Sequence, residues 1–189
     1  MKLTFLGATG TGSKYLLEDG GKMIDCGLFQ GRKELRLRNW KGLPVNPRDI
    51  DALILTHAHL DHSGYIPKLV KAGFKGPIYC SEATFDLCKI LLPDSGHIQE
   101  EDAERANRYH YTKHKPAPVD FGQSHKLSEE LEFTLHRAGH ILGAAFIRIS
   151  DSGGTSILFS GDIGRLDDPV MKAPAKIQDA DYLVVESTY

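Results

Sequence analysis

Cysteine is scarce in this chain of 189 residues: Cys26, Cys80 and Cys88 are odd in number and none falls in a CxxC pair. That argues against a disulfide framework or a cysteine-built metal cluster and for buried thiols in a reducing compartment. Long apolar runs are lacking too. No window approaches the roughly 18 to 20 uninterrupted apolar residues of a membrane helix. Met1-Lys2-Leu3-Thr4-Phe5-Leu6 runs into glycines where a signal peptide would carry its apolar stretch. A cytoplasmic protein with no membrane partner is expected. Positive charge is not in excess either. With 23 Lys and Arg against 25 Asp and Glu, the net charge is −2, so the overall field that draws in nucleic acid is missing. This weakens a pure nucleic-acid-binding module. It leaves open a metalloenzyme, whose cations hold phosphate where side chains do not. A content of 41% hydrophobic and 25% charged residues, without internal repeats or low-complexity segments, suits one globular domain.

The chain reads as two strand-rich halves around central helices. Lys2 to Leu6, Lys14 to Leu17 and Lys22 to Cys26 form short strands between glycine-rich turns, and Ala52-Leu53-Ile54-Leu55 is a buried strand that empties into polar residues. The spacing of Ile66, Leu69 and Val70 after Ser63 predicts a helix of about three turns closed by Gly73. A strand over Pro77 to Cys80 follows, then a helix over Glu82 to Leu92, capped by Ser81 and stopped by Pro93. His97 to Tyr109 suits a surface helix, and Lys113 to Pro118 a loop. Leu131 to Leu135, Ala144 to Ile149, Ser156 to Ser160 and Tyr182 to Val185 are the later strands. The order fits an α/β fold, an αββα sandwich.

Chemistry concentrates in Thr56-His57-Ala58-His59-Leu60-Asp61-His62. A solvated polar loop is the ordinary reading of a polar run. Here three imidazoles and a carboxylate crowd the buried end of a strand, which is unfavourable unless a cation binds them. On an extended segment His57 and His59 point to one side and grip one ion, while Asp61 and His62 follow on the turn and face a second. Two distant segments add donors at strand ends: His140 in the glycine-bracketed Gly139-His140-Ile141-Leu142-Gly143, and Asp162 in Ser160-Gly161-Asp162, where a carboxylate can bridge two cations. Imidazole with carboxylate suits Zn2+, with Mn2+ or iron as lesser candidates. The glycine run from Gly7 to Lys14 is not a nucleotide loop, because Ser13 precedes Lys14 in the reverse of the required order. His97, His110, His114, His125 and His136 show no ligand spacing.

Together with Asp25 in Ile24-Asp25-Cys26-Gly27 and the terminal Glu186-Ser187-Thr188-Tyr189, these segments resemble the metallo-β-lactamase superfamily, and within it the β-CASP branch of RNA-processing nucleases. The resemblance runs through nearly the whole chain. It implies that His57, His59 and His140 hold one zinc, that Asp61 and His62 take part in a second, and that Asp162 bridges them. Asp25 would orient a ligand imidazole, and Asp61 and Glu186 would serve catalysis. The implied reaction is hydrolysis of RNA phosphodiester bonds by a metal-bound hydroxide, with RNA as partner; a homo-oligomer is compatible with the sequence. The resemblance also implies segments beyond Tyr189, among them a domain clamping RNA, a general-acid histidine and a last histidine ligand. Residues 1 to 189 thus read as the N-terminal portion of the metallo-β-lactamase domain, the sandwich incomplete at its C-terminus. Gly7 to Ser13, Gly21 to Ile24 and the stretch after Ala117 are shorter than the family's usual form. The ligand run alone also permits hydrolysis of a small ester or thioester, and processing complexes contain inactive scaffold relatives. The Glu-Ser-Thr-Tyr ending favours RNA over the former, and the presence of His57, His59, Asp61, His62, His140 and Asp162, ligands that such inactive relatives usually lose, argues against the latter.

Overall fold

The computed structural model describes residues 1–8, 10–18, 21–101 and 116–187, with the side chains of all but residues 94–101 and Pro116. Two sheets face each other. The first runs β1 (Leu3–Phe5), β2 (Tyr15–Leu17), β3 (Lys22–Ile24), β4 (Ala52–Ile54), β5 (Ile78–Cys80) and β6 (Pro116–Pro118) in spatial order, antiparallel as far as β3 and parallel from there on. The second is ordered β11 (Tyr182–Val184), β10 (Ser156–Phe159), β9 (Ala145–Asp151), β8 (Leu131–Arg137) and β7 (Ser124–Lys126), with only β10 and β11 parallel. Between them lies a core of Leu17, Ile24, Ile54, Phe133, Leu135, Ile147 and Phe159. On the far side of the first sheet, Leu53, Ile66, Leu69, Phe74, Cys88 and Leu92 form a second core. This core is roofed by α2 (Leu60–Ser63), α3 (Ile66–Lys71) and α4 (Glu82–Glu101), while α1 (Lys33–Arg38) buries none of its residues. The expected two-sheet α/β sandwich is therefore present. Helices cover one outer side, and residues 161–181 cross the other without helix.

Three expectations about elements need correction. Helix α4 does not stop at Pro93 but carries it inside. Proline there removes one backbone hydrogen bond, and burial of Cys88 and Leu92 against the helical core offsets that loss. Ser81 does cap the helix, its Oγ accepting from Thr84 N at 3.2 Å. The helix after the ligand run is six residues, not three turns, because α2 and α3 divide the segment. Pro116–Pro118 is a strand rather than a loop; a proline tolerates an edge position where no partner needs its missing N–H. The part of His97 to Tyr109 beyond Glu101 lies outside the described residues. Among those residues no helix is long and apolar enough to cross a membrane.

Cys26, Cys80 and Cys88 are buried and free, and burial pushes each thiol up to about 12. Lys14, leading into β2, is only 1% exposed. Its ammonium lies 4.4 Å from the ring centre of Phe29 and 4.9 Å from that of Tyr65. Burial lowers it to about 8 against 10.5 for a free lysine; Cys26 works the other way and Lys68 reinforces the drop. Because the folded value lies below the unfolded one, the unfolded chain binds more protons between those pH values, and stability rises with pH there. A Lys14→Met chain lacks this dependence. Urea melts should therefore show wild type gaining about 2 kcal/mol relative to Lys14→Met between about pH 7 and 9.5. A pH-independent difference would contradict the buried charge.

Candidate metal centre

The site begins where β3 and β4 end side by side. Asp25 follows β3 in the left-handed region, φ +54°, a conformation aspartate tolerates better than most side chains. Its fully buried carboxylate takes three contacts: Thr56 N to Oδ1, Thr56 Oγ1 to Oδ2, and His62 Nδ1 to Oδ2, each 2.8 Å. Since the Thr56 hydroxyl donates to Asp25, it is an acceptor toward His57 Nδ1, 3.0 Å away. One carboxylate thus orients two imidazoles, one directly and one through Thr56. Helix α2 is held by backbone bonds from Ser13 N to Asp61 O, Cys26 N to His62 O and Leu28 N to Leu60 O. Glycine is required at 27, where a Cβ would fall 1.5 Å from Asp61 O.

His140 and Asp162 arrive from the second sheet. The Gly143 carbonyl accepts from Ser81 Oγ at 2.7 Å and Thr84 Oγ1 at 3.0 Å, which pins the His140 loop to the start of α4. Ala145 N donates to Thr56 O, joining the two sheets beside the ligand run. Gly161 has φ +51°, and a side chain there would meet Thr56 Oγ1 at 2.8 Å. Glu186 Oε1 accepts from Ile163 N, and Ser160 Oγ accepts from Glu186 N at 3.1 Å, so Glu186 braces the segment carrying Asp162.

His57, His59, His140 and Asp162 each present one donor atom, and these atoms lie within 4.8 Å of one another. His59 Nδ1 is 3.1 Å from His57 Nε2 and 3.2 Å from His140 Nε2. Asp162 Oδ2 is 3.6 Å from His57 Nε2 and 3.3 Å from His140 Nε2. A tetrahedral ion with bonds of about 2.0 to 2.1 Å needs donors about 3.3 to 3.4 Å apart; these four separations lie near that, the remaining pairs are wider within the 4.8 Å limit, and the imidazole and carboxylate donors suit a divalent metal such as zinc, which would draw them together. Hydrogen bonding alone accounts for it less well, because the single in-plane lone pair of His59 Nδ1 serves one donor, not two. The other Asp162 oxygen, Oδ1, faces His62 Nε2 at 3.1 Å, and His62 Nε2 is 3.8 Å from Asp61 Oδ2. Asp162 thereby turns one oxygen to each side, and the Asp61 side is looser. A cleft of about 170 Å³ opens over that side, lined by Ser13, Tyr15, Asp61, His62, Asp162 and Glu186 among others.

Without metal the cluster is strongly polarised. Burial drives His57 well below the ordinary histidine value, helped by the charge of His62. His59 is lowered first by burial and then by His140. Burial would lower His62 as well, but Asp25 and Asp162 outweigh it and raise that imidazole to about 10. Burial would raise Asp162, yet the hydrogen bond and charge of His62, with His57 and His140, hold it near 2. Of the remaining histidines, His125 packs at 5.4 Å on the ring of Phe133 and His136 is lowered by burial and Arg148. His110 and His114 lie outside the described residues, as does the side chain of His97. Thr56, Ser81 and Thr84 position the donors although residue type alone marks none of them.

The family model described as the metallo-beta-lactamase superfamily matches residues 10–183. The chain belongs to the metallo-beta-lactamase superfamily. Among relatives in it, Ribonuclease TTHA0252 of Thermus thermophilus is 35% identical over 181 residues, covering 95% of this chain and 41% of its own length. Transcription termination factor FttA of Methanocaldococcus jannaschii is 33% identical over 180 residues, 88% of this chain and 27% of the relative. The chain thus spans well under half the length of either. Metallo-beta-lactamase fold protein YhfI of Bacillus subtilis superposes with a TM-score of 0.55 at 21% identity, over 87% of this chain and 63% of that one, which shows the fold alone.

For this superfamily member, Asp25→Asn tests the orienting carboxylate. It replaces a charged acceptor by an amide while keeping its shape. Zinc affinity measured by competition with a chromophoric chelator should fall about 10- to 100-fold with the circular dichroism spectrum retained. Unchanged affinity would show that Asp25 does not tune the donors.

Proposed function

We propose that the chain is the metal-binding core of a β-CASP-type ribonuclease that hydrolyses RNA phosphodiester bonds at a dinuclear zinc site. The observation that carries this reading is the complete His57, His59, His140 and Asp162 donor set with Asp61 and His62 beside it, in a chain whose relatives are named a ribonuclease and a termination factor. Glu186-Ser187, at the wall of the cleft, opens the Glu-Ser-Thr-Tyr sequence that led to the same branch. Thr188 and Tyr189 lie outside the described residues.

His57, His59, His140 and Asp162 would hold one ion, and Asp61, His62 and Asp162 the second. When bound, such a pair acidifies water and offsets negative charge on a reacting phosphate. Asp25 and Thr56 keep the Nδ1 atoms of His62 and His57 engaged, which leaves each Nε2 aimed at the centre. Asp61 borders the cleft with 26% of its side chain exposed, where its carboxylate can take a proton from an attacking water. Glu186 holds the Asp162 segment through Ile163 N.

The test compares cleavage of a 5′-labelled single-stranded RNA by the zinc-loaded wild-type chain and by Asp61→Ala. Asp61→Ala removes a ligand of the second ion together with the proton acceptor, so any cleavage by the wild-type chain should slow by about 10²-fold or more while zinc content falls toward one per chain by elemental analysis. Equal cleavage by both would remove Asp61 from the reaction. Hydrolysis of a thioester with no RNA cleavage would replace the ribonuclease reading by that of a small-substrate hydrolase.

A further inference from the structure

A net charge of −2 conceals a local excess. Between Gly31 and Gly42 the chain carries Arg32, Lys33, Arg36, Arg38 and Lys41 against Glu34 alone. All five cations are exposed, and among the described residues none forms an ion pair. Interleaved with them, Leu37 and Trp40 are 51% and 47% exposed. Arg38 lies 5.6 Å from the Phe29 ring centre and Lys68 lies 5.8 Å from that of Trp40.

This is a poor helix by its own energetics. Six residues make less than two turns, no residue is buried, and no side chain caps the N-terminus. Like charges at Arg32 and Arg36 and at Lys33 and Arg36 repel across one turn. It is fastened from outside instead. Asn39 exchanges two hydrogen bonds with the Phe29 backbone, at 2.8 and 2.7 Å, while Lys68 Nζ donates to Asn39 O and Tyr65 OH to Lys41 O. The segment is held in place while its cations and Trp40 stay in solvent.

Its place in the fold is also set. Thr11 Oγ1 accepts from Gln30 N at 2.9 Å, and Thr11 lines the metal cleft. Arg32 is two residues further on, so its Cα lies within about 7 Å of that of Gln30. Leu28 is bonded to Leu60, the neighbour of Asp61. The basic segment therefore begins at the rim of the cleft that Asp61 and Asp162 border.

We propose that Arg32, Lys33, Arg36, Lys41 and Trp40 form a surface that binds single-stranded RNA leading to the metal centre, the cations tracking phosphates and Trp40 stacking on a base. The inference rests on the ribonuclease reading above. Cations with an accessible aromatic ring are what an extended polynucleotide strand uses, and base stacking is tolerant of sequence.

The test is fluorescence anisotropy of a labelled single-stranded RNA against salt concentration, with a chelator present so that the strand stays intact. Neutralising Arg32, Lys33, Arg36 and Lys41 to Gln should weaken binding on the order of 10- to 100-fold at about 50 mM salt and flatten the salt slope by about 3, at roughly 0.7 for each of four phosphates no longer neutralised. Trp40→Ala should weaken binding about tenfold and leave the slope unchanged. Circular dichroism checks that each variant folds. Should the quadruple variant not fold, the double variants Arg32→Gln/Lys33→Gln and Arg36→Gln/Lys41→Gln decide, a slope flatter by about 1 in each supporting the surface and the wild-type slope in both overturning it. Wild-type affinity and slope in both variants would overturn the surface while leaving the ribonuclease reading intact. Failure of the wild-type chain to bind the RNA would overturn both.

Discussion

Everything about the site depends on one buried carboxylate. Asp25 has no exposure, and a charge in that position is tolerable only with several good donors. Thr56 supplies two from the end of β4 and His62 a third from α2. The same oxygen that receives His62 receives the Thr56 hydroxyl, which in turn faces His57. Removing this carboxylate would therefore disturb the ends of two strands and the aim of two imidazoles together. The left-handed backbone at Asp25 is local strain held by those contacts.

The two donor sets are unequal, and the inequality follows from how each is built. Three imidazoles and one Asp162 oxygen close on a single point, each carried by a segment pinned on both sides. The Asp61 side has His62 and the other Asp162 oxygen, with Asp61 itself 3.8 Å from His62 and open to the cleft. A closely spaced, well-anchored set favours tight binding of one ion, while an open set leaves room for water and substrate.

Much of this was legible in the sequence because the donors are dense and lie at strand ends. The run from His57 to His62 pointed to a metal loop, His140 stood out by its glycine-bracketed loop, and Asp162 by its place at a strand end. Less legible were the elements that tertiary contacts decide. Pro93 reads as a helix stop, yet burial of its neighbours carries α4 through it. Pro116 reads as loop, yet an edge strand accepts it. Thr56, Ser81 and Thr84 are ordinary polar residues whose role appears only when Asp25, His57 and Gly143 are brought to them. The basic segment from Arg32 to Lys41 was averaged away in the net charge, and only its exposure, its lack of ion pairs among the described residues and its place beside Thr11 give it a meaning.

If the Asp25 and Thr56 network aims three imidazoles and Asp162 at one ion, zinc bound there has a defined shell. Zinc K-edge X-ray absorption on the chain loaded with one equivalent of zinc reads that shell. The predicted result is a first shell of three nitrogens and one oxygen at about 2.0 to 2.1 Å, with histidine outer-shell scattering and no sulfur. A shell with sulfur at about 2.3 Å, or with fewer than three imidazoles, would contradict it.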